Sequence, residues 1–285
     1  MELKLSTADY SFPLLQWEQT LRLARDIGMD GMDISLFENR SQLNPVEILA
    51  NPSGSATRVS AALQANGLHL ADIFGIPGTS FDQNAPNDPD KSVRQKSAEY
   101  FYRMLEFAAR SNARHLTLIP GIHFPQEDYE DSLKRSAEEL EWRAQAAQKV
   151  GIQFGIEAHL GSVASTPEQA QRLLQLAPTL TLTLDPAHFT RQGIPDGQIL
   201  PLVARTSHFQ ARCARAGRMQ APLKENTIDF GGYLDALAVH GFSGWCALEY
   251  VWSDWEHCNE VDIVSETILL RDLFRAAHTE SLPSR

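Results

Sequence analysis

Residues 153–188 read QFGIEAHLGSVASTPEQAQRLLQLAPTLTLTLDPAH, and this stretch decides the fold. Two short strand-like runs, Gln153–Glu157 and Thr181–Asp185, bracket a segment with helical spacing over Pro167–Leu176. Thr166-Pro167-Glu168 sets a capping hydroxyl before a first-turn proline, so the helix start is written locally. Strand, helix and second strand in this order form a crossover unit, and crossover units build parallel sheets.

The same unit recurs in both directions. Further strands are predicted at Leu3–Ser6, Gly31–Ser35, Leu68–Phe74, His115–Ile119, Thr206–Arg212 and Trp245–Tyr250, which brings the number to eight. Helices are predicted at Pro13–Ile27, Ala56–Asn66, Ser92–Asn112, Ser132–Val150, Gly197–Ala204, Gly231–His240 and Glu266–Ala277. Gly28, Gly67, Gly151 and Gly241 fall where helices end and a left-handed residue is needed. Eight rounds imply closure, so the expected architecture is a (β/α)8 TIM barrel, α/β in class, with residues 1–285 as a single domain. The stretches Phe37–Gly54 and Pro77–Asp90 are expected as irregular loops on the rim where barrel active sites gather.

Composition narrows the function classes. With 43% hydrophobic and 21% charged residues the chain has ample core. A formal net charge of −11 opposes binding to a polyanion, so no nucleic-acid partner is expected. Cys213, Cys246 and Cys258 lack paired-ligand spacing, which argues against a disulfide framework or a cysteine zinc site. No run approaches the ~20 apolar residues of a membrane span, and the start Met1-Glu-Leu-Lys-Leu-Ser6 has no signal-peptide pattern, so a cytoplasmic protein without a membrane partner is expected. Homo-oligomerisation is left open.

The chemistry lies at the ends of the later strands. Alternation turns Glu157, Asp185 and Glu249 inward at one rim. Three inward carboxylates repel one another unless a cation compensates them, either a metal or a neighbouring arginine or lysine. On the seventh strand His208, Gln210 and Arg212 share the inward phase. His159 and His188 follow two of the acids closely, placed to orient a ligand, bind a hydroxyl or shuttle a proton. Arg212 and Arg215 begin a cationic loop suited to a carboxylate or phosphate, and Trp252 and Trp255 could cover the apolar face of a sugar.

These segments together resemble the xylose-isomerase-like TIM barrels, which include sugar isomerases and epimerases and the apurinic-site endonucleases. The resemblance rests on Gly31-Met-Asp-Ile34, Ile156-Glu-Ala-His159-Leu-Gly161, Leu184-Asp-Pro-Ala-His188, His208-Phe-Gln210, Asn226-Thr-Ile-Asp-Phe230 and Gly244-Trp-Cys-Ala-Leu-Glu249-Tyr250. It implies a divalent metal on Glu157, Asp185, a strand-seven residue and Glu249. The family's strand-seven motif is His-x-His, and this chain departs from it, so either Gln210 ligates through its amide oxygen or His208 replaces it. The expected set is Glu157, Asp185, Gln210 and Glu249; all-oxygen ligation favours manganese, with magnesium, cobalt and zinc as alternatives.

The resemblance further implies an isomerase or epimerase acting on a ketose or sugar-acid derivative through an enediolate, with Glu157, Glu249 and His188 as catalytic groups. His159, His188, His208, Arg212, Arg215, Trp252 and Trp255 are the expected substrate contacts, and the arginines suggest an anionic carbohydrate. A metal-dependent decarboxylase or lyase of an oxo sugar acid, similar to the 3-oxo-isoapionate decarboxylases, is the alternative. Two others have less in the sequence behind them: an apurinic-site endonuclease, whose extra histidines His69 and His115 do not reproduce by their spacing, and a non-enzymatic sugar-binding module.

Overall fold

Eight parallel strands close on themselves in chain order: β1 Leu5–Ala8, β2 Gly31–Phe37, β3 His69–Ile76, β4 His115–Leu118, β5 Gln153–Glu157, β6 Thr181–Leu184, β7 Thr206–Ala211 and β8 Cys246–Leu248. The structure is a computed structural model and describes residues 1–280; the last part of the unit expected over 1–285 lies outside the described residues. Closure is made by β8 on β1, with Leu5 opposite Cys246 and Thr7 opposite Leu248. Register shifts interrupt the ladders at Met32/Asp33 on β2 and at Leu182/Thr183 on β6. The expected (β/α)8 barrel is what the chain forms.

The surrounding helices are α1 Trp17–Asp26, α2 Pro45–Ala50, α3 Pro52–Ala65, α4 Lys91–Arg110, α5 Tyr129–Lys149, α6 Pro167–Leu176, α7 Ala187–Thr190, α8 Asp196–Ile199, α9 Phe230–Val239 and α10 Ile263–Glu280. None of them, among the described residues, is long and apolar enough to cross a membrane. The start of α6 carries the expected capping box, Thr166 accepting from Gln169 N while Gln169 accepts from Thr166 N.

Two expectations need correction. The supposed loop Phe37–Gly54 contains α2 and the start of α3. Asn44 accepts from Val46 N at 2.9 Å and Asn51 from Gly54 N at 3.1 Å, each just before a first-turn proline. The two Asn-Pro pairs are helix starts rather than turns. The helix expected at Gly197–Ala204 is instead α8 followed by a 3-10 turn over Leu200–Arg205, where Pro201 has no N–H to continue an α-helix.

Apolar residues of the strands, among them Met32, Ile34, Leu116, Ile156, Leu182 and Leu184, are fully or nearly fully buried against the helix ring. Each contributes about 1.5–3 kcal/mol of transfer free energy. The barrel interior is polar instead. Ser6 Oγ donates to Asp33 at 2.7 Å, His208 Nε2 stands 2.7 Å from the other Asp33 oxygen, and His115 Nδ1 and Thr117 Oγ1 both meet Asp72 at 2.7 Å. Gly155 lets these side chains crowd the axis, since a Cβ there would lie 3.0 Å from Thr183 Oγ1 and 3.1 Å from His115 Cε1. Above this plug the strand ends open upward.

Candidate metal and substrate site

Glu157 ends β5, Asp185 follows β6, Gln210 sits within β7, Arg212 follows it, and Glu249 follows β8. All five are buried. An oxygen from each of Glu157, Asp185 and Glu249 lies within 4.8 Å of the others, as the alternation of the strands requires. Arg212 enters this group, donating from Nε and Nη2 to Asp185 Oδ2 at 2.9 and 2.7 Å and from Nη2 to Glu249 Oε2 at 2.8 Å. Both compensations weighed from the sequence therefore bear on one place.

Arg212 alone does not balance the acids. Arg212 brings one positive charge to three buried carboxylates. Burial pushes Glu157 up to about 7 and Glu249 up to about 8, the mark of acids short of cations. The two histidines close by do not help. Burial and the neighbouring His188 lower His159 to about 3, and burial lowers His188 to about 4, so both are neutral. With all three acids ionised, two negative charges would be left over, which is the charge of one divalent cation.

The donor set fits such an ion. Tyr10, in the 3-10 turn after β1, donates its hydroxyl proton to Glu249 Oε1 at 2.7 Å and accepts from Gln210 Nε2 at 3.3 Å. That polarity fixes the Gln210 amide and leaves its buried Oε1 with no hydrogen-bond partner. An acceptor without a donor, beside carboxylates without sufficient cation, is the chemistry of a metal ligand. Tyr10 escaped the sequence reading because it lies just beyond β1, where alternation no longer applies.

The structure places the other expected residues as follows. His188 Nδ1 accepts from Leu160 N at 3.3 Å, which directs Nε2–H to Glu157 Oε1 at 3.1 Å, so His188 orients the carboxylate. It is fully buried and, unlike the expectation of a substrate contact, does not line the cavity. His159 does line it, its ring 4.0 Å from that of His188 and 5.4 Å from that of Trp255. Trp252 and Trp255 also face the cavity.

Two placements correct the sequence reading. His208 lies one layer below Gln210 and is held by Asp33; burial opposes its charging, but Asp33 pushes it up to about 9, so it is one half of a buried ion pair within the barrel plug. The expected inward phase was right, but the position along the strand groups it with Asp33 and Asp72 rather than with Glu157, Asp185 and Glu249, and off the cavity lining. Arg215 points outward to Glu225 at 3.1 Å, and Arg218 to Glu260 at 2.8 Å, because the loop folds back through a bridge between Arg215 and Arg218. The loop thus contributes only Arg212 to the site. His69 and His115 do not join the carboxylates either: His69 packs by Trp245, and His115 is bound to Asp72.

The cavity above these residues holds about 810 Å³. Glu157, Glu249 and Arg212 reach its floor, and Tyr10, Phe37, Phe74 and Phe81 build an aromatic wall. Its volume is toward the upper end of the ~300–1,000 Å³ usual for small-molecule sites.

Residues 21–272 match the family described as xylose isomerase-like TIM barrel. No match is found among curated proteins. Several solved structures share the fold. A D-psicose 3-epimerase from Clostridium cellulolyticum H10, solved with D-tagatose, is 16% identical with a TM-score of 0.74, covering 96% of this chain and 99% of its own. A xylose isomerase-like TIM barrel protein from Mycobacterium smegmatis, solved in complex with magnesium, is 14% identical with a TM-score of 0.72, covering 96% and 97%. A probable 3-DHS dehydratase from Bacillus anthracis is 14% identical with a TM-score of 0.70, covering 94% and 99%.

Proposed function

Since the chain belongs to the xylose isomerase-like TIM barrel family, we propose that it is a divalent-metal-dependent carbohydrate isomerase or epimerase. One observation carries the reading: three buried carboxylates cluster beside a single arginine, which pairs with two of them, while the buried Gln210 Oε1 has no partner. Glu157, Asp185, Gln210 and Glu249 would hold the ion, which when bound supplies Lewis-acid stabilisation of negative charge on substrate oxygens. Oxygen-only ligation favours manganese or magnesium over zinc. The neighbours solved with D-tagatose and with magnesium support a sugar and a divalent cation.

Glu157 is the base. It lines the cavity, and His188 Nε2–H at 3.1 Å holds its carboxylate in one orientation. Taking the proton from the carbon beside a ketose carbonyl leaves the C–H electron pair to form a carbon–carbon double bond while the carbonyl π pair moves onto its oxygen, which gives an enediolate. Return of the proton to the adjacent carbon isomerises the sugar; delivery to the opposite face by Glu249 epimerises it. Tyr10, donating to Glu249 Oε1, sets that second acid. Trp255 and Phe81 flank His159 and restrict water at the mouth.

Loss of carbon dioxide from an oxo sugar acid is the second reading, favoured by the Arg212 guanidinium at the cavity floor, where a departing carboxylate would meet it. Elemental analysis of the purified protein, followed by a mass-resolved assay with manganese against ketoses and oxo sugar acids, tests both. Bound metal with unchanged substrate mass is the expected result. Loss of about 44 mass units would replace the first reading by the second, and absence of metal after manganese supply would remove both.

A further inference from the structure

The cavity has a cation that the carboxylate site does not use. Arg40 and Arg212 are the arginines that line it, and Arg212 is bound to Asp185 and Glu249. Among the described residues the Arg40 guanidinium makes no ion pair or hydrogen bond. It lies 5.2 Å over the Phe37 ring, and partial burial there lowers its pKa. Asn39, which also lines the cavity, is equally without a side-chain partner among the described residues.

The backbone beneath these two side chains is fixed. Phe37 O accepts from Arg40 N at 3.2 Å and Ser41 N at 3.1 Å, and Ser41 Oγ accepts from Phe37 N at 2.6 Å. Asn39 takes a left-handed conformation at φ 61°, which asparagine tolerates better than most residues. A tightly pinned turn that presents an amide and a guanidinium with no internal acceptor is a preorganised donor pair for an oxyanion. Its place matters as much as its charge: Phe37 and Tyr10, rings 5.0 Å apart, stand between Arg40 and Glu249, so the anion would sit at the far end of a ligand whose reacting carbons are at the floor.

We infer that Asn39 and Arg40 form an anion subsite, and that the substrate is a carbohydrate bearing a phosphate or carboxylate remote from its reacting carbons. This deepens, and rests on, the carbohydrate reading of the cavity. It also moves anion recognition from the loop at Arg215, where the sequence suggested it, to the turn after β2.

Calorimetric titration of manganese-loaded protein with D-fructose, D-fructose 6-phosphate and 5-keto-D-gluconate tests the assignment. The wild type is expected to bind at least one charged probe roughly tenfold or more tighter than D-fructose, and the identity of that probe separates phosphate from carboxylate. R40A should abolish that preference with D-fructose affinity and manganese affinity within about twofold of wild type, and R40K should restore part of it. A charged-over-neutral preference that survives R40A, or one absent from the wild type, overturns the subsite alone. A manganese-loaded wild type that binds none of the three overturns the carbohydrate reading with it.

Discussion

Arg212 meets Asp185 through two nitrogens on a single oxygen, Nε at 2.9 Å and Nη2 at 2.7 Å from Oδ2, and the same Nη2 spans to Glu249. Removing such a buried partner leaves the acids uncompensated, at about 3–5 kcal/mol. Arg212→Met should therefore melt well below wild type in chelator, and manganese should raise its melting temperature by more than it raises that of wild type. Equal metal-induced shifts in the two proteins would show that arginine and metal do not serve the same charges.

Glu157→Gln keeps the hydrogen bond from His188 but cannot take a proton. Turnover should fall about 10²–10⁴-fold with the fold intact. Incorporation of solvent deuterium at the carbon beside the carbonyl, read by NMR, should vanish with it. Undiminished exchange would pass the role of base to Glu249.

Gln210 is the departure from the family pattern, and in the proposed site it would bias the choice of metal. Gln210→Leu should weaken manganese binding by at least about tenfold, or 1.4 kcal/mol. Gln210→His should move preference toward zinc or cobalt, since imidazole suits softer ions than an amide oxygen does. Competition titrations with a metallochromic indicator give both numbers; unchanged manganese affinity in the leucine variant would exclude Gln210 from the ligand set.

Asp9 gives a pH signature separate from catalysis. It is fully buried, accepts from Ser35 N at 2.9 Å and has Oδ2 unpartnered; burial, against the hydrogen bonds from Ser35, pushes it up to about 7. Below the unfolded pKa near 3.8 both states are protonated. Between there and about 7 the unfolded carboxyl ionises while the folded one keeps its proton, so stability falls with rising pH. Asp9→Asn removes that loss. Its stability relative to wild type should grow from pH 4 to 7 and then level, on the order of 3–4 kcal/mol in total. A pH-independent difference in denaturation would mean that Asp9 is ionised in the folded protein.

The loop that carries Trp255 is held down by Arg191, whose Nε and Nη2 reach Glu256 at 3.0 and 2.9 Å. Glu256 and His257 both have positive φ, at 52° and 58°, so the loop is strained where it is fastened. Arg191→Ala should raise KM severalfold and shift tryptophan emission to the red, because Trp255 loses its packing on His159 and His188. Emission and KM that do not move would mean that the ion pair is incidental to the loop.

Much of the molecule was legible in its sequence for a physical reason. Strand alternation is strictly local, so the inward aim of Glu157, Asp185 and Glu249 could be read from two residues on either side. Alternation gives direction but not height, and that is why His208 was placed among the substrate contacts although it lies a layer deeper with Asp33. Asp33 stood in the Gly31-Met-Asp-Ile34 segment, but nothing local could announce a partner 175 residues away. Arg215 failed for a different cause: a loop arginine aims wherever its turn folds, and this turn closes on itself at Arg218. The two Asn-Pro pairs were visible but were read within an irregular loop, when the same chemistry also starts helices.

Closure of the cylinder through β1 and β8 has a consequence during synthesis. Glu249 arrives just after the last strand, and the tyrosine that orients it arrives just after the first, 239 residues earlier. A nascent chain still missing its final strand has Glu157 and Asp185 but neither the third acid nor the Tyr10 to Glu249 contact. The proposed ion site therefore comes into being only when the last strand closes on the first, and a chain without that strand has two of the three acids that would capture a metal ion.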